Sequence, residues 1–268
     1  MANGTNMRRL AVLIDADNTS ARYASAMFNE IASLGAANVR RIYGDFSGTR
    51  LGGWNDAIQL HAILQHQQRS NTTGKNAADI ALVMDAMDLL YKDKLDGFCL
   101  VSSDSDFTRL AQRLREDGLT VYGFGERKTP ETFRNACTRF IYLENLVDTA
   151  EAESTLDQPG TDAAELKKKA DDQTKKATNN NKKGESAKKA THVIRKAMAG
   201  LEDEEEWVHL GEAGNRIANI APDFDPRSYG HAKLSALIEA TGAFDLKRTN
   251  SKHIMIRPKA TKKSPAKA

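Results

Sequence analysis

The chain has 268 residues, of which 40% are hydrophobic, 28% charged and 6% aromatic, so it has room for one large folded domain or two smaller ones and is not a low-complexity polymer. Its net charge of +3 is too small to mark it by itself as a polyanion-binding protein. Two cysteines, with no CxxC pair and no Cys/His cluster, exclude a disulfide framework and a structural zinc, and suit a reducing compartment.

Residues 10–14 (Leu-Ala-Val-Leu-Ile) read as a strand buried on both sides. Residues 21–34 have helical spacing, 39–46 form a second strand, and 54–67 and 77–91 read as helices. A third strand over 98–102, a helix over 107–116, a fourth strand over 119–124, a short helix over 131–136 and a fifth strand over 140–143 follow. This alternation predicts a parallel sheet with helices on both faces, whose ligands bind beyond the carboxyl ends of the strands. Residues 150–190 hold nine Lys, eight acids and almost no large apolar residue, the composition of a charged flexible linker. Residues 191–258 predict three helices followed by a hairpin, the order of a winged helix, with Trp207 and Tyr229 as core aromatics. Residues 259–268 form a basic tail; after Asp245 there are eight Lys/Arg and no acid, a distribution that attracts phosphates. The N-terminus has no apolar leader, and no window approaches the roughly 18 apolar residues of a membrane span, so a soluble, cytoplasmic protein is expected.

The aspartates fall where chemistry is possible. Asp15 directly follows the first strand within Ile14-Asp15-Ala16-Asp17-Asn18-Thr19, and Asp104 and Asp106 follow the third within Ser102-Ser103-Asp104-Ser105-Asp106-Phe107. Asp79 opens the helix after Gly74-Lys75-Asn76. A parallel sheet places all of them along one edge. Crowded carboxylates repel, and protonation or a cation must relieve them; oxygen ligands suit Mg²⁺ or Mn²⁺. Asp17 and Asp106 also suit helix caps. Asp85 and Asp88 share the helix of Asp79, but at about 100° per residue Asp85 projects away, so both read as structural or solvated.

These residues resemble the NYN domain family of PIN-like nucleases: strand-Asp15-x-x-Asn18, Lys75 with Asp79, and Ser-x-Asp104-x-Asp106-Phe107, with likeness over roughly residues 8–146. The resemblance implies a Rossmann-like sheet and ribonuclease chemistry. Asp15, Asp79, Asp104 and Asp106 would bind metal and carry catalysis, Asn18 would orient Asp15 or a water, and Ser103 and Lys75 would position phosphate. The domain is expected over residues 1–149, and a homodimer is open because PIN-like domains often pair. Trp207-Val208-His209-Leu210 and Tyr229-Gly230-x-x-Lys233-Leu234 resemble the LOTUS, or OST-HTH, family, which implies RNA binding; Lys233, Lys247, Arg248 and Lys252 would meet the phosphates. Arg22, Arg50, Arg69 and Lys75 are candidates to guide the strand. Two rival readings remain open here. Asp15-x-Asp17-x-Thr19 also fits haloacid-dehalogenase-type phosphatases, with Asp15 as nucleophile, and an RNA-binding regulator without catalysis would need no water-activating metal.

Overall fold

Strand β1 (Arg9–Asp15) is apolar on both sides, and from Leu10 to its end every residue is buried. That is the signature of a central strand in a parallel sheet, whose two faces are both covered by helices. In the computed structural model the described residues are 7–68, 77–92, 94–147, 177–199 (backbone only for 177–187), 207–249 and 253–259. The chain divides into two units, Met1–Gln158 and Pro159–Ala268. In the first, β1 is followed by α1 (Ala24–Leu34), β2 (Ala36–Gly44), α2 (Asn55–Leu60), β3 (Leu64–Gln67) and α3 (Ala77–Lys92). Then come β4 (Gly97–Val101), α4 (Thr108–Glu116), β5 (Thr120–Gly125), α5 (Glu131–Ala136) and β6 (Arg139–Tyr142).

The six strands lie in the order β3-β2-β1-β4-β5-β6, and every pairing is parallel. Because side chains alternate along a strand, β1 serves two cores. Leu10, Val12 and Ile14 pack with Met27, Phe28 and Ile31 of α1 and with Trp54. Ala11 and Leu13 pack with Leu82, Ala86 and Leu89 of α3 and with Leu110 and Leu114 of α4. The strand order reverses direction between β1 and β4, the switch point beyond whose carboxyl ends sheets of this kind bind their ligands.

One expectation is corrected. Residues 54–67 are not a single helix. A turn over Gly52–Trp54 leads into the short α2, which stops at His61; Ala62 takes a left-handed φ of 49°. The chain then forms β3, which pairs Arg41 with Leu64 through Gly44 with Gln67. Arg40 fastens this corner by donating to the carbonyls of Ala37 and His61. The sheet therefore has six strands rather than five. The edge strand is held by backbone hydrogen bonds, and its exposed Leu64, Gln65 and Gln67 carry no alternation that would separate it from a helix.

The second unit contains α6 (Ala177–Met198), β7 (Val208–His209), α7 (Leu210–Ile220), a single 3₁₀ turn over Pro226–Tyr229, α8 (Leu234–Thr241), β8 (Phe244–Arg248) and β9 (Ile254–Pro258). Helix α6 begins inside the polar stretch; the rest of that stretch, 150–176, and the tail from 260 lie outside the described residues. Ile194, Ala197 and Met198 of α6 meet Ile217, Leu237, Ile238, Phe244 and Ile256 in one apolar core. Val208 and His209 add a third strand to the expected two-stranded hairpin, and the antiparallel order is β7-β9-β8. Asp225 caps the 3₁₀ turn by accepting from the Arg227 amide at 2.9 Å, and Gly230 closes it with a φ of 80°, which a side chain would resist. Tyr229 packs against Phe224 and the core. Trp207, read from the sequence as a core aromatic, is only half-buried and outside that core.

Candidate functional site

At the end of β1 the chain turns sharply, and Asp15 organises the turn. Its Oδ1 accepts the backbone amides of Asp17 and Asn18 at 3.1 and 3.2 Å. Its Oδ2 accepts the Asn18 side-chain amide at 2.9 Å and the Ser102 hydroxyl at 2.7 Å. Ser102 follows β4, the neighbouring strand, and its oxygen in turn accepts the Asp104 amide at 3.0 Å. One hydroxyl thus links the two acidic turns. Asp15 is 1% exposed, and burial raises its pKa against the lowering effect of these donors.

Asp79, in the first turn of α3, approaches from the side. Its pKa is pushed up to about 6, first by burial and then by the negative charges of Asp15, Asp104, Asp106 and Asp17. Four carboxylates from two strand ends therefore lie within electrostatic reach of a fifth on a helix. This predicts a measurable sign. An acid whose pKa is raised in the folded state opposes folding when ionised, so stability is lost as pH climbs from about 4 to 6. In EDTA, Asp79→Asn should melt higher than the wild type at pH 8 and show no such gain at pH 4. An equal or lower melting temperature at pH 8 would mean that the carboxylates do not crowd.

The capping assignments shift by one acidic residue. A 3₁₀ turn over Ser105–Phe107 precedes α4, so the cap is Asp104, whose Oδ1 accepts the Asp106 amide; Asp106 is exposed. Asp17 caps nothing and pairs with Arg50. Ser103 is buried and accepts the Glu126 amide at 2.9 Å, so it fastens the loop after β5. Ser102 is the residue that sequence reasoning missed; the signal was its place two residues before Asp104. Asp85 is structural, held by Arg41 at 2.7 Å and by the Tyr43 hydroxyl, and Asp88 pairs with Lys92 on the surface. Lys75 and Arg69 lie outside the described residues. A cleft of about 370 Å³ opens beside the turn after β1, lined among others by Asp17, Asn18, Arg50, Trp54, Glu126 and Lys128, and Asp79, Asp104 and Asp106 do not line it. Arg22 does not line it and donates to the Tyr23 hydroxyl.

Whether the turns suit a metal ion can be judged from the donors. The carboxylate oxygens are hard ligands, and Asp79, its pKa raised first by burial, also feels the charges of Asp15, Asp104, Asp106 and Asp17, a repulsion that a divalent cation would relieve. Among the described residues no three His, Cys, Asp or Glu side chains stand close enough to form a finished cage. Asp15 already receives four donors, about the capacity of a carboxylate. Of these donors Asn18 is an exposed residue. The oxygen-only donor type is the one a hard divalent cation takes.

In the second unit Lys233 is exposed and immediately precedes α8 rather than lying on it, and Lys247 and Arg248 are exposed on β8. Arg248 pairs with Glu239 at 3.6 Å. Lys252 lies outside the described residues.

A Rossmann-like α/β domain with acidic turns at its switch point, followed by a small α+β module, is the class of protein defined here. The sequence matches the NYN domain over residues 9–144 and the OST-HTH/LOTUS domain over residues 183–256. The chain belongs to the NYN family, part of the PIN-like nuclease superfamily, whose nucleases typically use divalent metals, and it carries a LOTUS module, a type that suggests RNA binding. No curated protein matches it. Among solved structures it is similar to a protein of unknown function from Vibrio parahaemolyticus, with 17% identity and a TM-score of 0.44, covering 53% of this chain and 96% of the other. It is also similar to an uncharacterized protein from Nitrosomonas europaea, with 23% identity and a TM-score of 0.25, covering 40% and 96%. No helix among the described residues is long and apolar enough to cross a membrane.

Proposed function

We propose that the chain is a divalent-metal-dependent ribonuclease that hydrolyses phosphodiester bonds within single-stranded RNA, with the LOTUS unit capturing the strand. The observation that carries this reading is the Ser102 hydroxyl bond that joins Asp15 to the Asp104 turn, with Asp79 electrostatically coupled to both. Asp15 and Asp104 would hold Mg²⁺ or Mn²⁺, and Asp79 and Asp106 would hold a second ion or orient the attacking water. Such an ion, when bound, lowers the pKa of a water and stabilises charge on a phosphoryl oxygen. Asn18, which donates to Asp15 through both its backbone and its side-chain amide, would orient that carboxylate or a bound water. Arg50, paired with Asp17, and Lys128, paired with Glu126 of its own loop, offer cations to the backbone of the strand. Lys233, Lys247, Arg248 and Lys252 would attract phosphates at the second unit, and tethering raises the RNA concentration near the acidic turns.

The test is cleavage of an end-labelled single-stranded RNA by the full chain. Internal cuts are expected with Mn²⁺ or Mg²⁺ and none in excess EDTA, with activity restored by adding the metal back. Cutting that persists in EDTA would remove the metal from the reaction. RNA that is bound but uncut under all metal conditions would leave an RNA-binding regulator.

A further inference from the structure

The three-stranded sheet of the second unit has one face in the core and one outside. Val208 and Ile256 are paired and buried, and Leu246 is in register with Ile256. Alternation along each strand then puts two cross-strand rows on the opposite face: Trp207, Arg257 and Asp245, and His209, Met255 and Lys247. The Arg257 guanidinium lies 4.7 Å and the Lys247 ammonium 6.0 Å from the centroid of the Trp207 ring. The His209 and His253 rings meet edge to face at 5.5 Å. Met255 and Trp207 are partly exposed, and His209, Lys247 and His253 are exposed.

A tryptophan that served only as packing would sit in the apolar core, which excludes Trp207. Here the indole lies partly exposed on the outer sheet face, flanked by two cations, with a guanidinium at cation–π distance. Aromatic rings flanked by cations on a sheet face are what a single strand uses: its unpaired bases stack on the rings, and its phosphates meet the cations. The surrounding charge agrees, since eight Lys/Arg and no acid follow Asp245. We infer that the outer face of β7, β9 and β8 is a base-stacking platform for single-stranded RNA, with Trp207 as the ring that receives a base and Arg257 and Lys247 as the groups that hold it flat. This deepens the RNA-binding reading above and rests on it.

The experiment uses the full chain in EDTA, so that nothing is cut, with a fluorescein-labelled single-stranded purine-rich RNA and the same strand annealed to its complement. Trp207→Ala is expected to weaken binding of the single strand about tenfold, the scale of one lost base–aromatic stack, while Trp207→Phe stays within about threefold and duplex binding is unchanged. Indole emission is a second readout that leaves the ring in place. The chain has two tryptophans, and Trp54 is buried. The difference between wild type and Trp207→Phe therefore isolates Trp207, whose emission the single strand should quench. Single-strand binding without that quench, or with Trp207→Ala as tight as wild type, would overturn the platform and leave RNA capture standing. Loss on Lys233→Ala alone would move the strand to α8. If the wild type binds no RNA even at low salt, the capture reading itself falls, and the platform with it.

Discussion

Asp15→Asn is expected to cut RNA at least about a thousandfold more slowly than the wild type while binding it equally well. The side chain keeps its shape and its place at the end of β1, so the fold should survive. The remaining amide oxygen can still accept the Asp17 and Asn18 backbone amides, while the new NH2 group loses the Asn18 side-chain donor and must donate to Ser102 instead, a local cost that melting temperature reads separately from rate. What disappears is the anion that would draw an ion into the turn. Metal stabilisation of a phosphoryl transition state is worth several kcal/mol, and each 1.36 kcal/mol is a factor of ten in rate. Initial rates in Mn²⁺, with RNA affinity measured in EDTA, separate the two effects. Asp85→Asn is the matched control. That residue serves Arg41 and Tyr43, so its loss should lower the melting temperature and leave the rate within about threefold. Full activity in Asp15→Asn would place the chemistry elsewhere, and a collapse of both variants alike would show that the acids hold the fold.

The parts of this architecture that were legible are those written in burial. β1 from Leu10 to Ile14 and β4 throughout are apolar because helices cover both sides; β1 ends in Asp15 and Asp104 follows β4 by three residues, so the acidic edge follows from parallel topology. The parts that were not legible depend on backbone events. β3 is bonded through its main chain, and its side chains fit a helix equally well. Asp104 rather than Asp106 became the cap because a 3₁₀ turn starts the helix early. Ser102 and Ser103 are adjacent, and the turn at the end of β4 decides that the first reaches Asp15 and the second reaches the loop after β5. Trp207 precedes a strand of two residues, too short to show the alternation that would have placed it on an outer face.

The turn that Ser102 occupies also depends on a residue with no side chain. Gly125 ends β5 beside β4, and a Cβ there would lie 2.6 Å from Thr129 Oγ1, 2.7 Å from the Ser102 carbonyl oxygen and 2.9 Å from Phe140 Cζ. None of these can retreat easily. The Ser102 amide is bonded to the Phe124 carbonyl at 3.0 Å, Leu143 donates to the Gly125 carbonyl at 3.0 Å, and Phe140 is 1% exposed. Gly125→Ala should therefore destabilise the first unit by about 2 kcal/mol, within the range for overpacked cores, which lowers the melting temperature by roughly 4–8 °C in a domain of this size. The strain is relieved most directly by moving the Ser102 backbone, and with it the hydroxyl that joins the two acidic turns. Because a misplacement of about 1 Å costs on the order of a hundredfold in rate, metal-dependent cleavage should fall by more than the loss of folded protein explains. Gly48→Ala, where an added Cβ meets nothing within 4 Å, should leave both quantities unchanged. If Gly125→Ala melts and cuts like the wild type, the end of β5 yields without disturbing Ser102, and the hydroxyl bridge does not need the close fit of these two strands.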